Sequence, residues 1–129
     1  MTVYDSTEFD PPAPIAYVTL RNGVTGKEWL DVQMQLDTGA DITLVPQEVV
    51  NRLNLTIVPN ISYELAGFDG HTTIAPMVRL ELLFCQRIFR GQFLLIDEER
   101  GILGRNVLNA VPLLFDGPRL QWSEYRRKK

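Results

Sequence analysis

Leu36-Asp37-Thr38-Gly39-Ala40-Asp41 is a short acidic turn set between two apolar runs. The residues that lead into it, 29–36, alternate strictly: Leu30, Val32, Met34 and Leu36 fall on one side, with Asp31, Gln33 and Gln35 on the other. That period of two reads as a half-buried strand, with Asp37 where it ends. Thr38 can hydrogen-bond locally and Gly39 can take a backbone path that a side chain would obstruct, so the turn presents a carboxylate on a tight loop. Ile42-Thr43-Leu44-Val45 then resumes strand-like sequence. Upstream, residues 15–21 read as a strand and Asn22-Gly23 with Gly26 as the turn to its hairpin partner, 28–36. Downstream, Pro46 fits a first helical position, and Val49, Val50 and Leu53 form the apolar side of a short helix ending by Asn54.

Residues 61–84 read as a long hairpin with its tip at Ala66-Gly67-Phe68-Asp69-Gly70. Its outgoing arm alternates, placing Ile74, Val78, Leu80, Leu82 and Phe84 on one side and Thr73, Arg79 and Glu81 on the other. Residues 87–96 supply another strand, 97–100 a charged turn, and Ile102-Leu103 a short buried strand. A helix is expected from Gly104 through Val111, then a terminal hairpin around Asp116-Gly117-Pro118.

An Asp-Thr/Ser-Gly triplet arises by chance in roughly one chain of this size in twenty, so alone it decides little. It stands here with a second stretch, Gly101-Ile102-Leu103-Gly104-Arg105-Asn106-Val107-Leu108. Together the two resemble the retropepsin-like (retroviral-type) aspartic proteases, and among them the single-lobe cellular members. In that family a hydrophobic-Asp-Thr-Gly-Ala-Asp loop is followed, after a flap hairpin, by Ile/Leu-Ile/Leu-Gly-Arg-Asn/Asp and a short helix. The resemblance spans residues 15–114. It implies an all-β fold: a single-lobe closed β-barrel or sandwich with a flap hairpin and one or two short helices. The C-terminal end is longer than in retroviral enzymes, whose chain ends in one strand interleaved with the partner's termini.

Peptide hydrolysis by carboxylates needs two of them across one water, one ionised to deprotonate it and one protonated to polarise the scissile carbonyl. The chain offers one suitable turn, because Asp69-Gly70 and Asp116-Gly117 lack the hydroxyl residue and the preceding apolar strand. The resemblance therefore implies a homodimer in which Asp37 of each subunit meets at a two-fold axis. It places Asp37, Thr38 and Gly39 in the catalytic loop. It assigns substrate contacts to Gly39, Ala40, Asp41 and Ile42, and to Ala66, Gly67, Phe68 and Ile74 of the hairpin. It also implies a structural ion pair between Asp41 and Arg105. Ile42, Phe68 and Ile74 point to a peptide or protein substrate with hydrophobic side chains near the scissile bond. Two other readings use the same residues: a non-catalytic dimerisation or peptide-binding module, which would not need the carboxylate, and a glycosidase, for which a second acid facing Asp37 is missing.

At 129 residues, 45% hydrophobic and 22% charged, the chain suits one domain with a single core. The expected divisions are an acidic, proline-rich and partly disordered N-terminal arm at 1–13, the protease-like domain at 14–123 and a basic tail at 124–129. A net charge of −3 gives no reason to expect nucleic acid or an anionic membrane as partner. Arg126-Arg127-Lys128-Lys129 reads as a solvated end. Cys85, the lone cysteine, excludes an intrachain disulfide and suits a reducing compartment. With an N-terminus unlike a signal peptide and no apolar run of membrane-spanning length, a cytoplasmic protein is expected. His71 is the one histidine, with no second His or Cys beside it, so neither a metal nor another cofactor is expected.

Overall fold

The structure, a computed structural model, describes residues 1–66, 70 and 72–126, with side chains apart from those of Asn60 and Thr73. Its strands are β1 (Thr2–Val3), β2 (Ile15–Arg21), β3 (Glu28–Leu36), β4 (Leu44–Pro46), β5 (Ile57–Ala66), β6 (Thr72–Phe84), β7 (Arg87–Ile96), β8 (Gly101–Leu103), β9 (Leu113–Asp116) and β10 (Gln121–Glu124). Two short helices, α1 (Gln47–Arg52) and α2 (Arg105–Leu108), complete it. Strands β2-β3-β8-β4-β7-β6 close into a barrel because β6 pairs with β2 as well as β7. β5 hangs from the outer end of β6, and β1-β10-β9 form a separate sheet. This is the all-β, single-lobe architecture expected.

Alternation supplies the core. Ala16, Val18 and Leu20 of β2 and Val32, Met34 and Leu36 of β3 all turn inward. Leu30, expected with them, is 64% exposed. Between Val18↔Val32 and Leu20↔Trp29 the pairing sets one residue of β2 against two of β3, with Asp31 at φ 57°. This bulge breaks the period of two and turns Leu30 out. The arm of β6 also departs from expectation. Val78, Leu80, Leu82 and Phe84 enter the main core, but Ile74 on the same side is 68% exposed, while Ala75 and Met77 of the other side are buried in a second apolar cluster. The β5–β6 register shifts between Ile57↔Val78 and Ser62↔Pro76, where the hairpin leaves the barrel and its former inner face has no interior left to fill.

β4, β7 and β8 bury both faces near this point. Val45, Phe93, Leu95 and Leu103 enter the barrel, and Leu44, Leu94, Ile96 and Ile102 join the second cluster. Two-sided burial explains why Phe93-Leu94-Leu95-Ile96 is a continuous apolar run rather than an alternating one. Pro46 sits at the N-cap of α1, one residue earlier than expected, and Val49, Val50 and Leu53 pack on the core. Asn22 staples the β2–β3 turn to that helix by donating from Nδ2 to the Leu53 carbonyl (3.0 Å). α2 stops at Leu108 instead of continuing to Val111. The Ala110 and Val111 amides bond three residues back, and Pro112 disfavours helical geometry at the residue before it.

The N-terminal arm is ordered where partial disorder was expected. β1 pairs with β10 (Thr2↔Trp122), the Tyr4 amide donates to the Leu120 carbonyl (2.8 Å), and Asp5 bridges Ala13. The Glu8 amide, the Thr7 hydroxyl and the Thr7 amide all donate to the Asp5 carboxylate and hold it below its ordinary range. Trp122 caps the barrel, its indole N–H on the Ile15 carbonyl (3.0 Å) and its ring 6.0 Å from that of Phe84.

Two stability predictions follow from this architecture. Cys85 (φ 51°) and Gln86 (φ 61°) form the two-residue β6–β7 turn, a type I′ geometry suited to Asn-Gly. Left-handed backbone costs a side-chain-bearing residue roughly 1–2 kcal/mol, and glycine's extra entropy loss offsets about half of it. Gln86→Gly should therefore raise the melting temperature by a few degrees, and a lower one would contradict strain at this turn. Glu81 joins three strands by accepting from Arg21 Nε (2.7 Å) and from Arg90 Nε. Those bonds, Arg21's first, lower its pKa. A lowered folded-state value contributes stability that is complete above the unfolded value and is lost as pH falls through the folded one. Wild type should thus melt above Glu81→Gln at pH 7, and the gap should close as the solution is acidified through the lowered pKa of Glu81. A gap that persists in acid would assign it to packing.

Candidate active site

The parallel pairing of β3 with β8 ends at Leu36↔Leu103 and is carried one residue further by the Asp37 amide, which donates to the Leu103 carbonyl (3.0 Å). Asp37 is half-buried. Its Oδ1 accepts from the Gly39 amide (2.9 Å), and its own carbonyl accepts from the Ala40 amide (3.2 Å). The loop therefore closes on the carboxylate it carries. A Cβ at Gly39 would stand 3.1 Å from Asp37 Oδ1. Glycine here makes room for the acid rather than supplying a left-handed turn.

The second stretch packs against this loop backbone to backbone. A Cβ at Gly104 would lie 2.6 Å from the Ile42 carbonyl carbon and oxygen and 3.0 Å from the Ala40 oxygen, so no side chain fits. The Arg105 amide donates to the Ala40 carbonyl (2.8 Å) and its guanidinium to the Thr38 carbonyl (2.7 Å). Asp41 is exposed and makes no ion pair among the described residues. The expected Asp41–Arg105 pair is thus replaced by a brace on the loop's main chain. The turn carries the Thr38 carbonyl under α2, and Asp41 stays in water, where a lone carboxylate is better solvated.

Thr43 is the member of this site that sequence reasoning passed over. It is fully buried, donates from its hydroxyl to Asn106 Oδ1 (2.7 Å) and accepts from the Gly104 amide (3.0 Å). The available signal was a single hydroxyl inside the apolar run Ile42-Thr43-Leu44-Val45, a position that needs a partner on the far side.

Of the residues expected at substrate, Asp37, Thr38, Gly39, Ala40 and Asp41 lie on this loop, and Ile42 packs on the second apolar cluster beside Leu65 and Ile102. Ile74 does not join that cluster: it pairs opposite Glu64 on the outward side of β6. Ala66 is exposed at the end of β5. Gly67 and Phe68 lie outside the described residues, as do Asp69 and His71. No cluster of His, Cys, Asp or Glu among the described residues could hold a metal. Chemically the loop presents one half-buried carboxylate, Asp37, which is half of the pair that water activation by carboxylates requires, while its second acid, Asp41, stands exposed.

No protein-family model matches the chain, and no curated protein matches it. Among solved structures it is similar to the EIAV protease, a retroviral protease, complexed with the inhibitor HBY-793. The TM-score is 0.57 at 22% identity, over 84% of this chain and 93% of that one. The fold is retropepsin-like.

The buried hydroxyl gives a sharp test of how the two stretches are joined. Thr43→Val leaves the Gly104 amide without its acceptor and should cost about 1–3 kcal/mol. Thr43→Ser keeps both bonds and loses one methyl, about 1 kcal/mol. Denaturant unfolding measures both, and equal losses would show that the hydroxyl bonds are idle.

Proposed function

We propose that the protein is an aspartic endopeptidase acting as a homodimer, with Asp37 of each subunit facing across a two-fold axis. The observation that carries this is half-buried Asp37, its carboxylate held by the Gly39 amide and its backbone amide bonded to the Leu103 carbonyl at the barrel rim. One carboxylate takes a proton from water, which attacks the scissile carbonyl while the other, protonated, donates to its oxygen. The tetrahedral intermediate then collapses, and the leaving amine takes a proton from the acid formed in the first step. Thr38 and Gly39 shape the paired loops. Gly39, Ala40, Asp41 and Ile42 contact substrate from below, and the β5–β6 hairpin serves as the flap, closing with Ala66, Gly67 and Phe68 from above. The retropepsin-like fold supports this reading, as does the likeness to a retroviral protease. A non-catalytic module would share the fold, but would not need a carboxylate held by the Gly39 amide of its own loop. The protease domain is taken as 14–123, between the arm at 1–13 and the tail at 124–129. A cytoplasmic setting accords with the lone cysteine, and no described helix is long and apolar enough to cross a membrane.

Mass action supplies the test. Below the dimer dissociation constant, specific activity on a peptide library should fall with dilution. Asp37→Asn should abolish turnover, and mixed in excess with wild type it should draw active chains into heterodimers, so activity drops faster than dilution predicts. Cleavage by a demonstrably monomeric preparation, or full activity in Asp37→Asn, would sink the shared site. Because two close carboxylates share one proton, the rate should be highest in acid to mildly acidic solution, and an optimum above pH 8 would count against the pair.

A further inference from the structure

A hollow of about 530 Å³ opens beside the strand that delivers Asp37. Gln35, two residues before that carboxylate, forms one side of it, and Ile102, its partner across the β3–β8 pairing, lies next to it. Ile102 immediately precedes Leu103, whose carbonyl takes the Asp37 amide. The hollow and the carboxylate are thus carried by the same two strands. Ile96 and Ile102, both half-buried members of the second apolar cluster, supply its floor. Phe9 of the N-terminal arm supplies an aromatic wall, and Glu98 and Glu99 stand exposed at the rim.

Arg100 also lines the hollow, but its charge is engaged on the arm. Its Nη2 lies 3.4 Å from the Glu8 carboxylate, its Nε donates to Gln33 Oε1 (3.3 Å), and its guanidinium carbon lies 4.8 Å from the centre of the Phe9 ring. Glu98 and Glu99 make no ion pair among the described residues. An apolar floor, an aromatic wall and a rim of unneutralised carboxylates suit one kind of occupant: a long side chain with an apolar stem and a cationic end.

We propose that this hollow is the subsite for a lysine or arginine side chain of the peptide flanking the scissile bond, with the N-terminal arm as one of its walls. The inference rests on the endopeptidase reading, and it differs from the purely hydrophobic preference that Ile42, Phe68 and Ile74 suggested. Two-fold symmetry gives the hollow a copy on either side of the bond. Glu8 bears on the same site by pairing with the Arg100 guanidinium that lines it.

Peptides that differ only at the residue beside the scissile bond, carrying lysine, norleucine or glutamate, separate stem from charge. An exposed charge pair shifts binding by up to roughly fivefold, so two carboxylates should favour lysine over glutamate by about tenfold in kcat/KM. That ratio should shrink in high salt, which screens exposed charges. Glu98→Gln with Glu99→Gln should bring it to within about twofold, while Phe9→Ala should raise KM for the lysine and norleucine peptides alike. Equal rates for lysine and glutamate, or a preference that survives the double substitution, would overturn the subsite. The same peptides are titrated onto Asp37→Asn, which is expected to bind without turnover. Lysine preference in that binding, with wild type inert to all three, would keep the subsite and remove the endopeptidase. Ready cleavage by wild type without charge preference would do the reverse.

Discussion

Everything at the candidate site depends on how closely two backbone segments approach. The ends of β3 and β8 run side by side, and the chain leaving β8 presses Gly104 against the Ile42 and Ala40 carbonyls at distances where no Cβ can stand. Gly101, at the start of β8, is equally confined, since a Cβ there would overlap the Met34 sulfur and the Leu44 carbonyl. Without those two absences of side chain, Asp37 could not keep its bond to Leu103, and Arg105 and Thr43 could not reach across. The acid is held by geometry that begins with missing atoms.

The same closeness explains what was legible in the sequence and what was not. Asp37 and Gly39 belong to a short stretch whose residue types are dictated locally, by a tight turn, and Gly104 and Arg105 to a second stretch legible through the resemblance that the pair carries. Local dictation leaves a readable pattern, and the barrel strands flanking it were readable for the same reason. Leu30 and Ile74 were misplaced because a bulge and a register shift depend on the partner strand, β2 in one case and β5 in the other. A period of two carries no mark of where it will be broken. Thr43 was missed because its partners, Gly104 and Asn106, lie about sixty residues away along the chain. The arm was read as loose because proline and acidic residues suggest solvation, whereas Tyr4 and β1 find their partners at the opposite terminus.

Burial on both faces marks where the barrel changes character. Around β2 and β3 the clustered apolar residues lie on the inner face, but β4, β7 and β8 also carry Leu44, Leu94, Ile96 and Ile102 outward into a second cluster. Leu65 of β5 and Met77 of β6 belong to that outer cluster, so the hairpin's own packing contributes to it. Ile42, Ile96 and Ile102 remain half-covered. The hairpin is therefore seated on part of this apolar surface and leaves another part uncovered among the described residues.

The terminal sheet constrains how two copies can meet. β10 is paired on both edges within its own chain, to β9 and to β1, so it has no free edge to offer a partner. Interleaving of termini, the arrangement of retroviral enzymes, would require the Thr2↔Trp122 and Val3↔Gln121 pairs to be undone and remade between chains. Trp122 makes that exchange costly, because its neighbours in the pairing also position the indole that caps the barrel on Ile15 and Phe84. Among the described residues the outer edges of β1 and β9 are unpaired, with Val3 on the one and Leu114 and Phe115 on the other exposed beside them. A dimer that brought two Asp37 loops together while leaving this sheet intact would need no exchange of termini, and those edges and the loops themselves are among the surfaces open to it.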